Sequence, residues 1–273
     1  MRSFRKIKRK AKSVTLIVGI ICKDAIVFGA ESETTRGSAK QHGTEKISII
    51  EFLNGYALVG EAGAATYSNI AVDSFKRKAA GREITDDRTI ANAAKDAVLE
   101  FRNHMTSLHP GLSPTNWEDF FYQEQNDFEL TLGYYFSGKA FLFKFRPMTA
   151  WPQPIAAEFS TSGIGSDLAH YLLKDFPFGQ ISSHQATLIA SYVVKEAKGS
   201  VAYCGGGTSL AVVSQGKRPE KISAEQANAM ELQITNMVAM ENRHRLQQLS
   251  EIVNLTKMEY QSLRGDGSEP SED

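Results

Sequence analysis

TLIVGIICKDAIVFGAES, residues 15–32, is two apolar, β-branched runs set either side of Lys23-Asp24. Such runs around a short polar pair read as an antiparallel hairpin. A two-residue loop at Lys23-Asp24 brings Thr15 opposite Ser32 and Leu16 opposite Glu31. Working outward, KISIIEFL (46–53) and YALVGEAG (56–63) flank Asn54-Gly55, the strongest short turn signal. Pairing across that turn sets Lys46 opposite Gly63. A third hairpin is ELTLGYYF, the turn Ser137-Gly138, and KAFLFKFR.

Between these hairpins the apolar period changes from two to three and four. Residues 64–80 and 87–105 are predicted helices, separated by Gly81. Residues 107–128, SLHPGLSPTNWEDFFYQEQNDF, carry two prolines and mixed aromatic and acidic side chains, which predicts a long surface loop. Helices follow at about 166–174 and 183–198, then a strand, SLAVVSQ. This order of strands, helix pair, strands, helix pair and strand fits an α+β fold. The expected form is a four-layer αββα sandwich of two antiparallel sheets flanked by helix pairs. Residues 223–263 form one long C-terminal helix with a capping-box start at Ser223 and Gln226. Its apolar stripe favours a contact with a neighbouring subunit. The chain thus divides into a basic extension (1–14), the sandwich domain (15–222), the helical extension (223–263) and an acidic tail (264–273) expected to be disordered.

Composition bounds the function. Over 273 residues, 42% hydrophobic and 23% charged content are ordinary for a soluble globular protein, and the formal net charge is zero. Neither nucleic acid nor membrane is therefore called for as a partner. The run MRSFRKIKRKAK reads as a flexible basic tail. Cys22 and Cys204 make no disulfide framework, which suggests a reducing compartment and a cytoplasmic protein. The six histidines have no metal-ligand spacing, and Gly205-Gly206-Gly207 lacks the Lys-Ser/Thr of a phosphate loop, so no metal and no cofactor is expected.

Thr15 is the candidate nucleophile. A threonine hydroxyl needs a base, and an N-terminal threonine has one in its own α-amine, with pKa roughly 7.7–8.0. The chemistry further needs a cation beside the hydroxyl, a carboxylate for that cation and a backbone N–H for the oxyanion. Lys46, Glu31 and Gly60 are the candidates. Without further knowledge, a threonine opening a strand is an ordinary β residue.

TLIVGIICKDAIVFGAES resembles the opening of mature proteasome β-subunits and of bacterial proteasome-like peptidases. Those share Thr-x-apolar-Val-Gly, a KDG-type turn and a second strand ending near an aspartate. NGYALVGEAGAAT, SGIGSDLAHYLL and VAYCGGGTSLAVV are similar to later motifs of the same family, in the same order, across about residues 14 to 216. The resemblance implies an N-terminal-nucleophile threonine peptidase in an oligomeric ring, acting on peptide or unfolded protein, with an ATPase partner left open. It places Thr15 on the nucleophile, Glu31 on the active-site aspartate, Lys46 on the lysine after a one-residue deletion, and Gly60 on the oxyanion donor. Four positions depart from the pattern, the first being Glu31, which keeps the aspartate's charge but adds a methylene. Ile164 and Val201 stand where the family has the serine and aspartate that orient the amine, and Cys204 replaces a second serine.

Two questions stay open at this level. Thr15 acts only with a free amine, and three routes compete: cleavage after Val14, a retained extension that blocks the amine, or translation starting at codon 14. Alternatives to a peptidase are a catalytically silent subunit of the same fold and a small-molecule amidase.

Overall fold

A computed structural model of the chain describes residues 15–36, 39–41, 43–113, 115–122, 126–149 and 151–265. The expected basic extension and most of the expected acidic tail lie outside the described residues. The opening hairpin pairs β1 (Leu16–Ile21) with β2 (Ile26–Glu31), Ile17 opposite Ala30 and Ile21 opposite Ile26. This is the register expected from the Lys23-Asp24 turn. Two short strands, β3 (Thr34–Arg36) and β4 (Ala39–Gln41), make a small ribbon that the sequence pattern did not announce.

The second hairpin, β5 (Ile47–Phe52) and β6 (Gly55–Gly63), differs from expectation. Phe52 pairs with Gly55 and Ile47 with Gly60, so the turn is Leu53-Asn54 rather than Asn54-Gly55. Neither Asn54 nor Gly55 takes the positive φ that an Asn-Gly hairpin turn needs. Instead the Asn54 side chain exchanges hydrogen bonds with the backbone of Ile84, and Leu53 N–H donates to Arg82 O. A tertiary tie thus overrides the local turn preference. The slip is two residues in pairing, so every side chain keeps its face, and Lys46 comes opposite Glu61 instead of Gly63.

Helices α1 (Ala65–Ala79) and α2 (Asp87–Leu108) follow, the second closed by a capping box on Asp86. The stretch 107–128 is not simply a surface loop. It contains α3 (Trp117–Tyr122), and Trp117 and Phe121 are buried. Strands β7 (Phe128–Phe136) and β8 (Lys139–Phe145) meet at Ser137-Gly138, both at positive φ, as their turn chemistry dictates. Next come β9 (Gln153–Pro154), β10 (Phe159–Gly163), α4 (Ser166–Leu173), α5 (Ser183–Ser200), β11 (Thr208–Val213), β12 (Glu220–Ile222) and α6 (Ala224–Gly265). Ser223 and Gln226 cap α6 reciprocally. Strands β9, β10 and β12 carry too little apolar alternation to read from sequence.

Two five-stranded antiparallel sheets result, ordered β10-β1-β2-β11-β12 and β5-β6-β7-β8-β9. Three apolar clusters make the layers. One joins α1, α2 and α3 to the second sheet, one joins α4 and α5 to the first, and one fills the gap between sheets through Ile17, Phe28, Ile47, Leu58 and Leu142. The expected αββα sandwich is therefore present. Residues through Met230 and residues from Glu231 form separate compact units. In the second unit Leu232, Met237, Met240, Leu246 and Leu249 are exposed. Among the described residues no helix is long and apolar enough to cross a membrane.

Phe101 sits at the centre of the helical cluster, edge-on to Trp117 and Phe128 and tilted against Phe121. Phe101→Ala should lower stability by about 3–5 kcal/mol, measured as a fall in the urea midpoint with an unchanged slope.

Candidate active site

The first described residue, Thr15, precedes β1, and its side chain points into the gap between the sheets, where only 2% of it is exposed. Glu31 ends β2 beside it and is fully buried. Lys46 immediately precedes β5 on the opposite sheet and reaches across. Its Nζ donates to Thr15 Oγ1 at 3.0 Å. It also contacts a Glu31 carboxylate oxygen and the Glu33 carbonyl. An ammonium has three donors, and all three find oxygen here. That completeness is what permits a charge so deep in the fold.

The Glu31 carboxylate is equally occupied. One oxygen faces Lys46; the other accepts the Glu33 N–H at 2.8 Å and the Gly205 N–H at 3.2 Å. The turn after α5 is laced to this strand end: Ser32 N–H donates to Gly207 O and Gly207 N–H to Ser32 Oγ. Burial lowers the Lys46 pKa from the ordinary lysine value, and the adjoining Glu31 charge opposes that shift. Cys204 lies at the edge of the same cluster, and burial, with Glu31 adding, pushes its thiol up to about 12. It is a neutral thiol near pH 7 and no rival nucleophile.

Gly60 is placed differently from the trio. It lies inside β6, opposite Ile47 and Thr131. Glu61 N–H donates to Lys46 O, toward β5. Successive strand amides alternate, so the Gly60 N–H is turned to Thr131 on β7. A Cβ at Gly60 would stand 2.4 Å from Ile17 Cγ2, so its missing side chain lets the two sheets approach. Two residues on, Ala62 lies near Gly163, 3.5 Å from where a Cβ there would stand.

The departures from the family pattern fall close by. Extending the β1–β10 register by one residue sets Ile164 opposite Thr15. Ile164 and Val201 both pack on the apolar cluster that contains Leu16 and Cys204. Sequence reasoning missed Glu33 and Gly205, which act through backbone atoms and leave no mark on residue type. It also missed Glu61. That carboxyl is buried, accepts from Ser48 on β5 and Ser68 on α1, and has its pKa raised by burial. Among the described residues no group of three or more His, Cys, Asp or Glu could hold a metal ion.

No protein-family model matches the chain, and no curated protein does. Solved structures do. Anbu (ancestral beta-subunit) from Yersinia bercovieri has a TM-score of 0.64 at 12% identity, over 84% of this chain and 96% of that one. The helical assembly of the Anbu complex from Pseudomonas aeruginosa gives 0.65 at 13% identity, over 84% and 96%. Anbu from Hyphomicrobium sp. strain MC1 gives 0.61 at 15% identity, over 84% and 97%. At these identities the likeness is one of fold.

Replacing Lys46 with Met leaves Glu31 buried without its cation, and should destabilise by about 3–5 kcal/mol at neutral pH. Adding Glu31→Gln to Lys46→Met should recover part of that loss in urea unfolding. For Glu61 the folded pKa lies above the unfolded one, so its contribution is fully present in acid and lost as pH rises through the folded value. Comparing urea midpoints at low and neutral pH, Glu61→Gln should therefore gain on the native protein as pH rises.

Proposed function

We propose that the chain is a subunit of a proteasome-like assembly that hydrolyses peptide bonds, with Thr15 as N-terminal nucleophile once residues 1–14 are absent. The observation that carries this reading is the Lys46 ammonium 3.0 Å from Thr15 Oγ1 while also held by Glu31. A cation there favours the alkoxide and lowers the barrier to attack on a carbonyl. The freed α-amine accepts the hydroxyl proton and later returns it to the leaving amine, as a general base and acid near neutral pH. Glu31 keeps Lys46 protonated and oriented. The oxyanion role expected of Gly60 is not part of the proposal, because that N–H faces β7. The neutral Cys204 thiol also supports threonine over cysteine chemistry.

The assembly part rests on fold likeness to Anbu, one of whose structures is a helical assembly. We extend to this chain association with further copies of itself. A second reading has its own observation. Ile164 opposite Thr15 and Val201 nearby remove the polar groups that would orient an amine, which favours a catalytically silent subunit.

Intact mass and covalent labelling separate the two readings. In protein from the native gene, the peptidase reading expects a mature chain beginning at Thr15, labelled there by a β-lactone. Thr15→Ala should lose labelling and peptide hydrolysis by at least about a thousandfold. A retained extension with no label identifies the silent subunit, and undiminished labelling of Thr15→Ala rejects Thr15 as nucleophile.

A further inference from the structure

Strand β1 has two neighbours in its sheet, and each is gripped from the opposite sheet by a lysine paired with a buried carboxylate. On the β2 side the pair is Lys46–Glu31, whose ammonium also meets the Glu33 carbonyl. On the β10 side it is Lys144–Glu129. Lys144, on β8, donates through Nζ to the Thr161 carbonyl at 2.6 Å and lies 3.1 Å from the Glu129 carboxylate. Arg146 Nε holds the other Glu129 oxygen at 2.6 Å. Ser162 continues the connection, bonding Glu129 and lying 2.9 Å from Thr131 Oγ1. Three polar side chains of the second sheet, Lys144, Glu129 and Thr131, thus converge on two consecutive residues of β10.

We propose that Lys144, together with Glu129, is a positioning residue for Thr15, a second pin across the gap that sets the height of the nucleophile's main chain over Lys46. This rests on the peptidase reading given above. The mechanical path is short. Among the described residues β10 is an edge strand whose strand neighbour in the first sheet is β1. The residue after Ser162 is Gly163, at φ +91°, and a Cβ there would stand 1.9 Å from Thr15 O. Gly163 therefore lies directly against the Thr15 carbonyl and also pairs with Leu16. A displacement of Thr161–Gly163 is passed straight to Thr15, whose hydroxyl must stay within hydrogen-bond reach of Lys46. This pin acts on the main chain of Thr15, beside the bond that Lys46 makes to its hydroxyl. Lys144 touches neither the hydroxyl nor a reacting atom.

The test is amide hydrogen exchange on the protein from the native gene, with β-lactone labelling as a second readout. Losing a charge-assisted bond of this kind corresponds to about a tenfold change. In Lys144→Met, exchange across 159–163 and 15–18 should quicken about tenfold relative to strands β6 and β7. Labelling of Thr15 should slow by a similar factor, with the half-saturating inhibitor concentration unchanged. Lys144→Arg, which keeps both the charge and the donors, should restore both readouts, and Glu129→Gln, milder in its effect on folding, should fall between. Unchanged exchange at 15–18 in Lys144→Met, or Lys144→Arg behaving like Lys144→Met, overturns the proposal. Should the native protein take no label, the peptidase reading fails, and the exchange result alone still decides whether Lys144 positions Thr15.

Discussion

The buried Lys46 ammonium, spanning the gap between the sheets, organises this molecule. Lys46 leaves one sheet and ends among three oxygens of the other: a hydroxyl, a carboxylate and a carbonyl. A buried charge is tolerated only where its donors are all met and an opposite charge lies beside it. Both conditions constrain the surroundings. The gap between the sheets must be narrow enough for one side chain to span, so Gly60 sits where Ile17 needs room. Glu31 must be aimed, so the backbone of Glu33 and Gly205 holds its second oxygen.

Function, on the proposed reading, uses the same arrangement without addition. The geometry that makes the buried pair stable also brings a positive charge to a threonine hydroxyl. What is unusual is the shell around it. Where the resembled family carries polar groups, Ile164, Val201 and Cys204 extend the apolar cluster of Leu16. Restraint on Thr15 comes from Lys46 at its hydroxyl and from Gly163 of β10 against its main chain. Backbone contacts constrain geometry while leaving most residue types free.

Much of this was legible beforehand, and the reasons are particular. The β1–β2 register followed from Lys23-Asp24 because a two-residue hairpin loop fixes which residues pair. The Ser137-Gly138 turn followed from positive-φ chemistry, and the cap at Ser223 from local hydrogen bonding. Asn54-Gly55 misled because its preference is small beside the bonds that Asn54 makes to Ile84. β10 escaped notice because FSTSG has little apolar content and becomes a strand only by pairing with β1.

The sequence by itself determined the sandwich and named the residue types of the candidate trio, since hydrophobic period and hairpin chemistry are local properties. Tertiary structure alone decided the rest: the meeting of Lys46 with Thr15 and Glu31, the backbone donors to Glu31, and the turning of the Gly60 amide toward β7. The physical reason is the range of the information. Burial pattern and turn preference act over a few residues, whereas the gap between two sheets is set by every side chain that fills it.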